Sequence, residues 1–455
     1  MCQFEQQSER QKAVDSLVMK YIQAFVFGIG IELLSRSFTM LKFNCWKIPN
    51  GPTVSTLRNT GLNYYSQNFE FSAPVRITYG SGCIDRLPSY LRSVGSKRVL
   101  IICGKNFRKT PNFDRISRLL NDLLVASFDS VVPHPTLEIC ESAGKLAREV
   151  DADTILSVGG GSSIDTGKAA TLLKDGNTDL RDYLVTYDPK EGRKVKQFTG
   201  SRYLHVAIPT TFSSAEANGS AAVVESATRR KLILWSDASL PSAVFLDPTL
   251  LSTLPTELMA ASGMNTFAHG IETIYSSELQ PISEALAFGS LELIKEFLPR
   301  CVESRDDYEA IGMMQIASVM AGFAYANAVV SLHHAICHVL GAMFNIHHGI
   351  ANSIMLPYVM RDMVDYVPDS IARIGRRLNI VKKEVDNTTA GLETVRWVEQ
   401  FRSRIGTPKR LRDVGVPRSK LPVAAEETMK DWVAFQGLRK VESSEEVLRI
   451  LEAAW

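Results

Sequence analysis

Short apolar runs alternate with amphipathic stretches along the chain from about residue 71 to residue 250. Four of these runs have the length and composition of buried strands: Arg98–Cys103, Thr154–Val158, Tyr203–Ile208 and Ser242–Leu246. Between them, apolar residues recur at three- and four-residue steps, and this spacing predicts helices over Phe113–Leu124 and Ile139–Val150. Alternating strands and helices imply a mostly parallel sheet covered by helices on both faces, with ligands beyond the carboxyl ends of the strands.

The pattern becomes almost wholly helical after Thr249. Three long segments carry few strand signals: Pro281–Phe297, Tyr308–Leu340 and Asn352–Tyr366. This change places a domain boundary near residue 250. We therefore expect three parts, which are an N-terminal extension (1–70), an α/β domain (71–250) and an all-helical domain (251–455).

Composition narrows the class of protein. The 455 residues carry 51 Lys and Arg against 49 Asp and Glu, a net charge of +2, so nothing electrostatic favours a nucleic acid or an anionic membrane as partner. The seven cysteines are scattered, odd in number and without a CxxC pair: Cys2, Cys45, Cys83, Cys103, Cys140, Cys301 and Cys337. This argues against a disulfide framework or a cysteine zinc site and fits a reducing compartment.

The N-terminal region has no convincing membrane or export signal. Its longest apolar stretch, Tyr21–Leu34, contains Gln23 and Glu32 and is shorter than the roughly 20 residues of a spanning helix. Acidic residues lie where a cleaved leader would be basic. We therefore expect a cytoplasmic protein.

A glycine-rich loop follows the strand Thr154–Val158 and reads Gly159-Gly160-Gly161-Ser162-Ser163 before an apparent helix. Glycines allow close approach to a phosphate, and the free amides of a helix N-terminus favour its negative charge. We therefore predict a pyrophosphate site, although a tight turn with Ser162 or Ser163 as the helix cap would also use these residues. The spacing matches neither GxGxxG nor the P-loop.

Two further loops leave predicted strands and are candidates for cofactor contacts. Thr210 and Thr211 follow Pro209, where hydroxyl groups suit a ribose or a nicotinamide amide, or an ordinary turn. Gly104 and Lys105 follow the first strand, where a carboxylate would favour NAD(H) and repel a 2′-phosphate. Since Gly104 removes that repulsion and Lys105 or Arg108 could pair with the phosphate, we expect NADP(H) to be favoured over NAD(H).

The histidines form the second chemical signal. Eight are present, five of them between His333 and His348. On helices, Asn265 and His269 would share a face, as would His334 and His338. His348 follows His334 by 14 residues, about 20 Å along a straight helix. The two could therefore meet only if the chain bends, for which Gly341 and the residues 345–349 offer places.

Three of these histidines could bind a divalent metal. His269, His334 and His348 would supply neutral imidazoles, as in three-histidine zinc sites. Asn265, one helical turn before His269, is a neutral and weak ligand where a carboxylate would be expected. Because Asn265 stands where a carboxylate would be expected, the sequence predicts these three histidines as metal ligands only conditionally.

These motifs resemble, in order and spacing, the iron-containing alcohol dehydrogenase family with its dehydroquinate synthase-like fold, from about Ser72 to the C-terminus. The resemblance rests on the glycine loop, Pro209-Thr210-Thr211, Asp247-Pro248, Asn265 with His269, and His334, His338 and His348. The stretches around Asn265 and over His333–Gly341 are most similar to the maleylacetate reductase branch, which works without a metal. The stretch after His347 is more similar to the metal-dependent alcohol dehydrogenases.

The resemblance implies an α/β N-terminal dinucleotide-binding domain, an all-α C-terminal domain and an active site in the cleft between them. It implies an NAD(P)H-dependent oxidoreductase that transfers hydride between nicotinamide and a small carbonyl or enoyl substrate, with catalytic residues His338, His269 and His334. The alternatives are an Fe- or Zn-dependent alcohol dehydrogenase and, more remotely, a non-redox lyase or cyclase. We expect a small-molecule substrate and a homodimer.

Overall fold

The computed structural model describes residues 68–188 and 191–455, which belong to one compact unit. Residues 1–67 of the expected N-terminal extension, with the Tyr21–Leu34 stretch, Cys2 and Cys45, lie outside the described residues. The other five cysteines are buried free thiols, as their scattered spacing predicts.

In the described residues, ten strands form a parallel sheet and two antiparallel ribbons. They are β1 (Arg76–Tyr79), β2 (Val99–Gly104), β3 (Leu124–Val131), β4 (Thr154–Gly159), β5 (Thr186–Asp188), β6 (Gly192–Lys194), β7 (Leu204–Pro209), β8 (Ser220–Glu225), β9 (Arg230–Trp235) and β10 (Ala243–Leu246). Six of them pair in parallel in the order β1-β10-β7-β4-β2-β3. The ribbons pair β5 with β6 and β8 with β9.

The helices divide between the two halves of the described chain. Those among the strands are α1 (Leu87–Ser93), α2 (Lys105–Arg108), α3 (Pro111–Leu120), α4 (Leu137–Glu149) and α5 (Gly161–Thr171). The helical half contains α6 (Thr256–Ile274), α7 (Pro281–Glu303), α8 (Tyr308–Ala326), α9 (Leu332–Phe344), α10 (His348–Val364), α11 (Pro368–Arg377), α12 (Asn387–Arg404), α13 (Leu421–Thr428) and α14 (Ser444–Ala454). The predicted fold class, a parallel α/β half followed by a helical half, is confirmed.

Helix α6 forms the centre of the helical half. Every residue from Met259 to Ile274 is buried, and the helix packs against α7, α8 and α10. Gly263 and Gly270 allow this close approach, because a Cβ at either position would collide with Leu298 or Leu291 of α7. A helix buried on all sides carries its polar residues into the interior, where each needs a partner or a function.

One predicted helix was wrong in extent. Phe113–Leu124 was predicted as helix, but α3 ends at Leu120 and Leu124 begins β3. Strand β3 was missed because it lies at the edge of the sheet, so its half-buried residues include polar ones and no continuous apolar run marks it. The segment Tyr308–Leu340, which carries few strand signals, forms two helices, α8 and α9, with a break between Ala326 and Leu332.

No helix in the described ranges is both long enough and apolar enough to span a membrane.

Candidate active site

A cavity of about 840 Å³ lies where the loops at the carboxyl ends of β2, β3, β4 and β7 face helices α6, α9 and α10. Residues from both halves of the described chain line it. This is the place that a parallel sheet offers to a ligand, since strand ends and helix N-termini converge there.

The glycine turn forms one wall of the cavity. Gly159 has φ +144, and a Cβ there would lie 2.5 Å from the Ser163 hydroxyl oxygen, so only glycine fits without strain. Gly160 caps α5, and a Cβ on it would lie 3.2 Å from the Thr211 side chain. The turn and the loop after β7 therefore face each other closely. The backbone amides at the start of α5 and the absent side chains fit a pyrophosphate.

The predicted cofactor residues divide into two groups. Those lining the cavity are Gly104, Lys105, Gly160, Gly161, Ser162, Ser163 and Thr211. Gly159 and Thr210 are not in the lining; the Thr210 amide instead donates to the Gly159 carbonyl at 2.9 Å, which joins the two loops. These two residues support the turn.

The candidate partners of a 2′-phosphate differ in availability. The Arg108 guanidinium lies over the Phe113 ring at 4.1 Å and does not line the cavity. Lys105 does line it, at the N-terminus of α2. Of the two basic residues considered for this role, Lys105 is therefore the one placed for it.

Four of the predicted histidines meet in the cavity. His269 comes from α6, His334 and His338 from α9, and His348 from the start of α10. Their ring centroids are 4.7 Å apart for His269 and His334, 5.7 Å for His334 and His348, and 5.8 Å for His338 and His348. From the sequence alone, His334 and His348 could meet only if the chain bends between them.

The bend lies at Asn345, which ends α9 in the left-handed region with φ +55. This conformation suits asparagine among non-glycine residues. Gly341, the other predicted place, lies inside α9, where a Cβ would lie 2.9 Å from the His134 ring. Gly341 therefore allows close packing of His134 and does not bend the chain.

Glu272 fixes the first turn of α9 from the interior of α6. Its fully buried carboxylate accepts hydrogen bonds from the Ser331 amide at 2.8 Å, the Ser331 hydroxyl at 3.0 Å, His333 Nδ1 at 3.1 Å and His334 Nδ1. Burial alone would raise the pKa of Glu272, but His334 and His333 hold it well below its ordinary value. The carboxylate is therefore ionised, and sequence reasoning had assigned it no role.

The two histidines on Glu272 carry different charges. His333 donates from Nδ1 to Glu272 and from Nε2 to the Asn352 carbonyl at 3.2 Å, so both of its nitrogens carry protons. Burial opposes this charge, but Cys337 and Glu272 raise the pKa of His333 to about 10. Burial lowers the pKa of His334 to about 4, so His334 is neutral with its proton on Nδ1. Its Nε2 is buried without a partner.

Glu272, His333 and His334 place potential ligand atoms within 4.8 Å of one another. This cluster does not suit a metal, because the carboxylate already accepts four hydrogen bonds and His333 has no free nitrogen. A metal would fit instead at buried atoms that lack partners, which are His334 Nε2, His348 Nδ1 and Asn265 Oδ1. With His269 they provide the donor types of a zinc or iron site, but none of these ligands is negatively charged.

His269 belongs to a second buried network. Its ring stacks on Tyr325 with centroids 4.2 Å apart, and its Nδ1 lies 3.3 Å from the Ser214 hydroxyl. Ser214 contacts Ser318, whose hydroxyl donates to Glu216 at 3.3 Å. Burial raises the pKa of Glu216 to about 7. A hydroxyl group therefore contacts Nδ1 of His269, whereas the Glu272 carboxylate contacts Nδ1 of His334.

Several cavity residues had no signal in the sequence analysis. His134 follows β3, and its Nε2 lies 3.1 Å from the Ile346 carbonyl oxygen; burial and Lys231 lower the pKa of His134 to about 4. Lys231 lies on β9, and burial lowers its pKa. Both residues were missed because β3 and the β8–β9 ribbon were not predicted, so their loops could not be placed at the sheet edge.

The β5–β6 ribbon closes the cavity from one side. Tyr187 of β5 stacks on Trp432 with centroids 6.4 Å apart, and Arg193 of β6 pairs with Glu278 at 2.8 Å. The contacts join a ribbon from the α/β half to loops of the helical half. Arg193 and Trp432 also line the cavity.

The described lining of the cavity has more basic than acidic side chains. Lys105, Arg193 and Lys231 are basic and Asp165 is acidic. Arg193 pairs with Glu278, and burial lowers the pKa of Lys231. An excess of basic groups around a cavity attracts anionic ligands. A dinucleotide and a small acid both satisfy this condition.

Comparison with known proteins shows the family of the chain. The model of the "Iron-containing alcohol dehydrogenase" family matches residues 74–248, and that of the "Fe-containing alcohol dehydrogenase family, C-terminal" matches residues 259–455. A 1,3-propanediol dehydrogenase of Klebsiella pneumoniae is 29% identical over 377 residues, covering 82% of this chain and 95% of that protein. Maleylacetate reductase 2 of Cupriavidus pinatubonensis is 31% identical over 308 residues, covering 67% and 76%.

The solved structure of a 1,3-propanediol oxidoreductase superposes with a TM-score of 0.79 at 27% identity, covering 86% of this chain and 100% of that one. The fold and the site define an oxidoreductase. The chain belongs to the iron-containing alcohol dehydrogenase family, as the motifs predicted.

Proposed function

We propose that this oxidoreductase is a maleylacetate reductase-like enzyme, which uses NADPH in preference to NADH to reduce a small carboxylate-bearing carbonyl or enoyl compound. The observation that carries the proposal is the charge of the cavity. Its described lining has three basic residues against one carboxylate, and an amide, Asn265, takes the place of a charged ligand beside the histidines. Such a site favours an anionic substrate and binds a cation weakly.

Residues of the α/β half would bind the cofactor, and the histidines of the helical half would contact the substrate. The glycine turn and Lys105 would hold the dinucleotide, whose reduced nicotinamide supplies the hydride when bound. On the other wall, neutral His334 offers a bare Nε2 and can accept a hydrogen bond from an enol or alcohol. His338 and His269 also line the cavity, and in their protonated forms they would polarise or protonate the substrate oxygen. Burial lowers the pKa of both rings, so each would release its proton readily. Enclosure by the β5–β6 ribbon limits water around the reacting atoms.

The metal-dependent alcohol dehydrogenase remains the second candidate. It is favoured by the unpartnered Nε2 of His334, Nδ1 of His348 and Oδ1 of Asn265. A divalent metal held by His269, His334 and His348 would polarise a substrate oxygen as a Lewis acid. The missing ligand charge is the reason that we place this reading second.

A spectrophotometric assay separates the two candidates. Consumption of NADPH or NADH would be followed with maleylacetate, and formation of NADH or NADPH with 1,3-propanediol. The proposal expects maleylacetate to be reduced with the higher kcat/KM, and replacement of His269 or His338 by alanine to lower turnover. Preferential oxidation of 1,3-propanediol would favour the alcohol dehydrogenase. Absence of redox activity with every compound would support the remote lyase or cyclase.

A further inference from the structure

Among the described residues, Asp431 is a second carboxylate that touches a cavity histidine, and it is partly buried. It lies 93 residues after His338, and its Oδ2 is 2.8 Å from His338 Nδ1. Its Oδ1 accepts a hydrogen bond from the Val433 amide at 3.0 Å and so caps the short turn Trp432–Phe435. The His338 and Asp431 side chains are only 8% and 11% exposed, so water competes little for the contact.

We propose that Asp431 is a positioning residue for His338. Since an ionised carboxylate can only accept a hydrogen bond, it places a proton on His338 Nδ1 and leaves Nε2 as the nitrogen that faces the cavity. The ring cannot turn over without losing this bond. Asp431 therefore determines which nitrogen meets the substrate, in the way that Glu272 does for His334.

Capping of the turn Trp432–Phe435 does not by itself explain the contact between Asp431 and His338. The cap requires only Oδ1, whereas Oδ2 is committed to the imidazole. Lys231 lies close enough to interact electrostatically with both Asp431 and His338. The turn also carries Trp432 and Val433, which line the cavity. Asp431 therefore connects the His338 ring to a turn that contributes to the cavity lining.

The substitution Asp431→Asn tests the positioning with little change in shape. An asparagine keeps an oxygen for the Val433 amide, so the cap is retained. Its NH₂ group then faces His338 and requires Nδ1 to accept, which moves the proton of the neutral ring to Nε2. The natural chain offers a matched control in Glu427→Gln, since Glu427 lies on the preceding helix and pairs with Arg230 and Lys430 instead of an imidazole.

The first readout is the tautomer of His338, measured by NMR on the full chain with ¹⁵N-labelled histidine and assigned by comparison with His338→Gln. We expect the wild type and Glu427→Gln to carry the proton on Nδ1 and Asp431→Asn to carry it on Nε2. The same tautomer in all three proteins would overturn the proposal. This readout needs no substrate, so it decides the positioning even if the proposed reductase activity is not found.

The second readout is kinetic and rests on the proposed function. With NADPH and maleylacetate, Asp431→Asn should lower kcat by about 10- to 100-fold with little change in KM, whereas Glu427→Gln should match the wild type. On the His338→Gln background, Asp431→Asn should have no further effect, because its effect acts through His338. Independent, multiplying effects of the two substitutions would overturn the proposal. Thermal unfolding curves for each variant identify any loss of fold.

Discussion

At the scale of single residues, the chemistry of this site depends on what holds the Nδ1 atom of each imidazole. The Glu272 carboxylate holds it for His334 and the Asp431 carboxylate for His338, and the Ser214 hydroxyl contacts it for His269. In His334 and His338, Nε2 is thereby left for the cavity. Such outer partners determine whether an imidazole presents a lone pair or a proton to a ligand.

The substitution Glu272→Gln should damage both stability and turnover. A glutamine has a single acceptor oxygen, so it cannot accept from Ser331, His333 and His334 together, and it leaves the charge on His333 uncompensated. We expect a loss of about 3–5 kcal/mol in the free energy of unfolding, measured by denaturant titration. The matched control is Glu257→Gln at the exposed start of the same helix, α6. Equal stability of the two variants would contradict this role of Glu272.

Ionisation of Glu216 should lower the free energy of unfolding as pH rises, whereas ionisation of an ion-paired carboxylate raises it. Burial raises its pKa to about 7 from the ordinary 4.5, so between these values the folded state retains a proton that the unfolded state has lost. Stability should therefore fall as pH rises from about 4.5 to about 7. The loss is on the order of 3 kcal/mol relative to Glu216→Gln, which has no such proton. Unfolding curves at pH 5 and pH 8 measure this difference, and an equal pH dependence in the two proteins would refute it.

At the scale of elements, the proposed cofactor contacts come from the turns that leave β2 and β4. The Gly159–Gly161 turn joins β4 to α5 in a conformation that needs glycine, with φ +144 at Gly159. The turn after β2 has ordinary dihedral angles, with φ −88 at Gly104. The backbone at Gly104 therefore accepts other residues, which makes this position suitable for testing the proposed cofactor preference.

The substitution Gly104→Asp should shift cofactor preference towards NADH. Its Cβ would make an ordinary contact, 3.6 Å from the Val131 carbonyl oxygen, so the fold should tolerate it. The new carboxylate would accept bonds from ribose hydroxyls and repel a 2′-phosphate. We expect the ratio of kcat/KM for NADPH to that for NADH to fall by about 10- to 100-fold. Gly104→Ala is the control, and an equal change in both variants would show that charge is not the cause.

The elements that sequence reasoning found and those it missed differ in burial. Strands β2, β4, β7 and β10 are buried runs of apolar residues, which periodicity detects. The edge strand β3 and the small ribbons are partly exposed and mixed in composition, so they gave no such signal. The residues that those elements bring to the cavity, His134, Lys231 and Arg193, were missed for the same reason.

The break between α8 and α9 could not be read from local sequence either. Ser331 before α9 is fixed by two hydrogen bonds to Glu272, 59 residues earlier in the chain. The pairing of His338 with Asp431 is likewise a contact between distant positions. Spacing along one helix predicted which histidines share a face, whereas the partners that orient them come from other elements.

At the scale of the whole molecule, the α/β half supplies the glycine turns and the cationic side chains, and the helical half supplies the histidines. Their meeting in one cavity is what the motifs of the family predicted for its dinucleotide and catalytic residues. The two candidate functions differ in whether the histidine cluster binds a metal. The ligands of this cluster carry no negative charge, because Asn265 is neutral.

Restoring that charge should increase metal binding. In Asn265→Asp, a carboxylate would join His269, His334 and His348 and stabilise a divalent cation. We expect metal content, measured by mass spectrometry after purification in the presence of iron or zinc, to rise relative to the wild type. Turnover of maleylacetate need not improve. Asn265→Ala controls for loss of the amide, and equal metal content in wild type and Asn265→Asp would show that ligand charge does not limit binding.

The most direct test of the account is the rate of NADPH consumption with maleylacetate by the wild-type protein, before and after treatment with a chelator, with the metal content measured on the same samples. The account predicts substoichiometric metal and a rate that survives chelation, since the imidazoles and the cationic lining perform the reaction. Stoichiometric iron or zinc, with activity lost to the chelator and restored by the ion, would contradict it and establish the metal-dependent alcohol dehydrogenase.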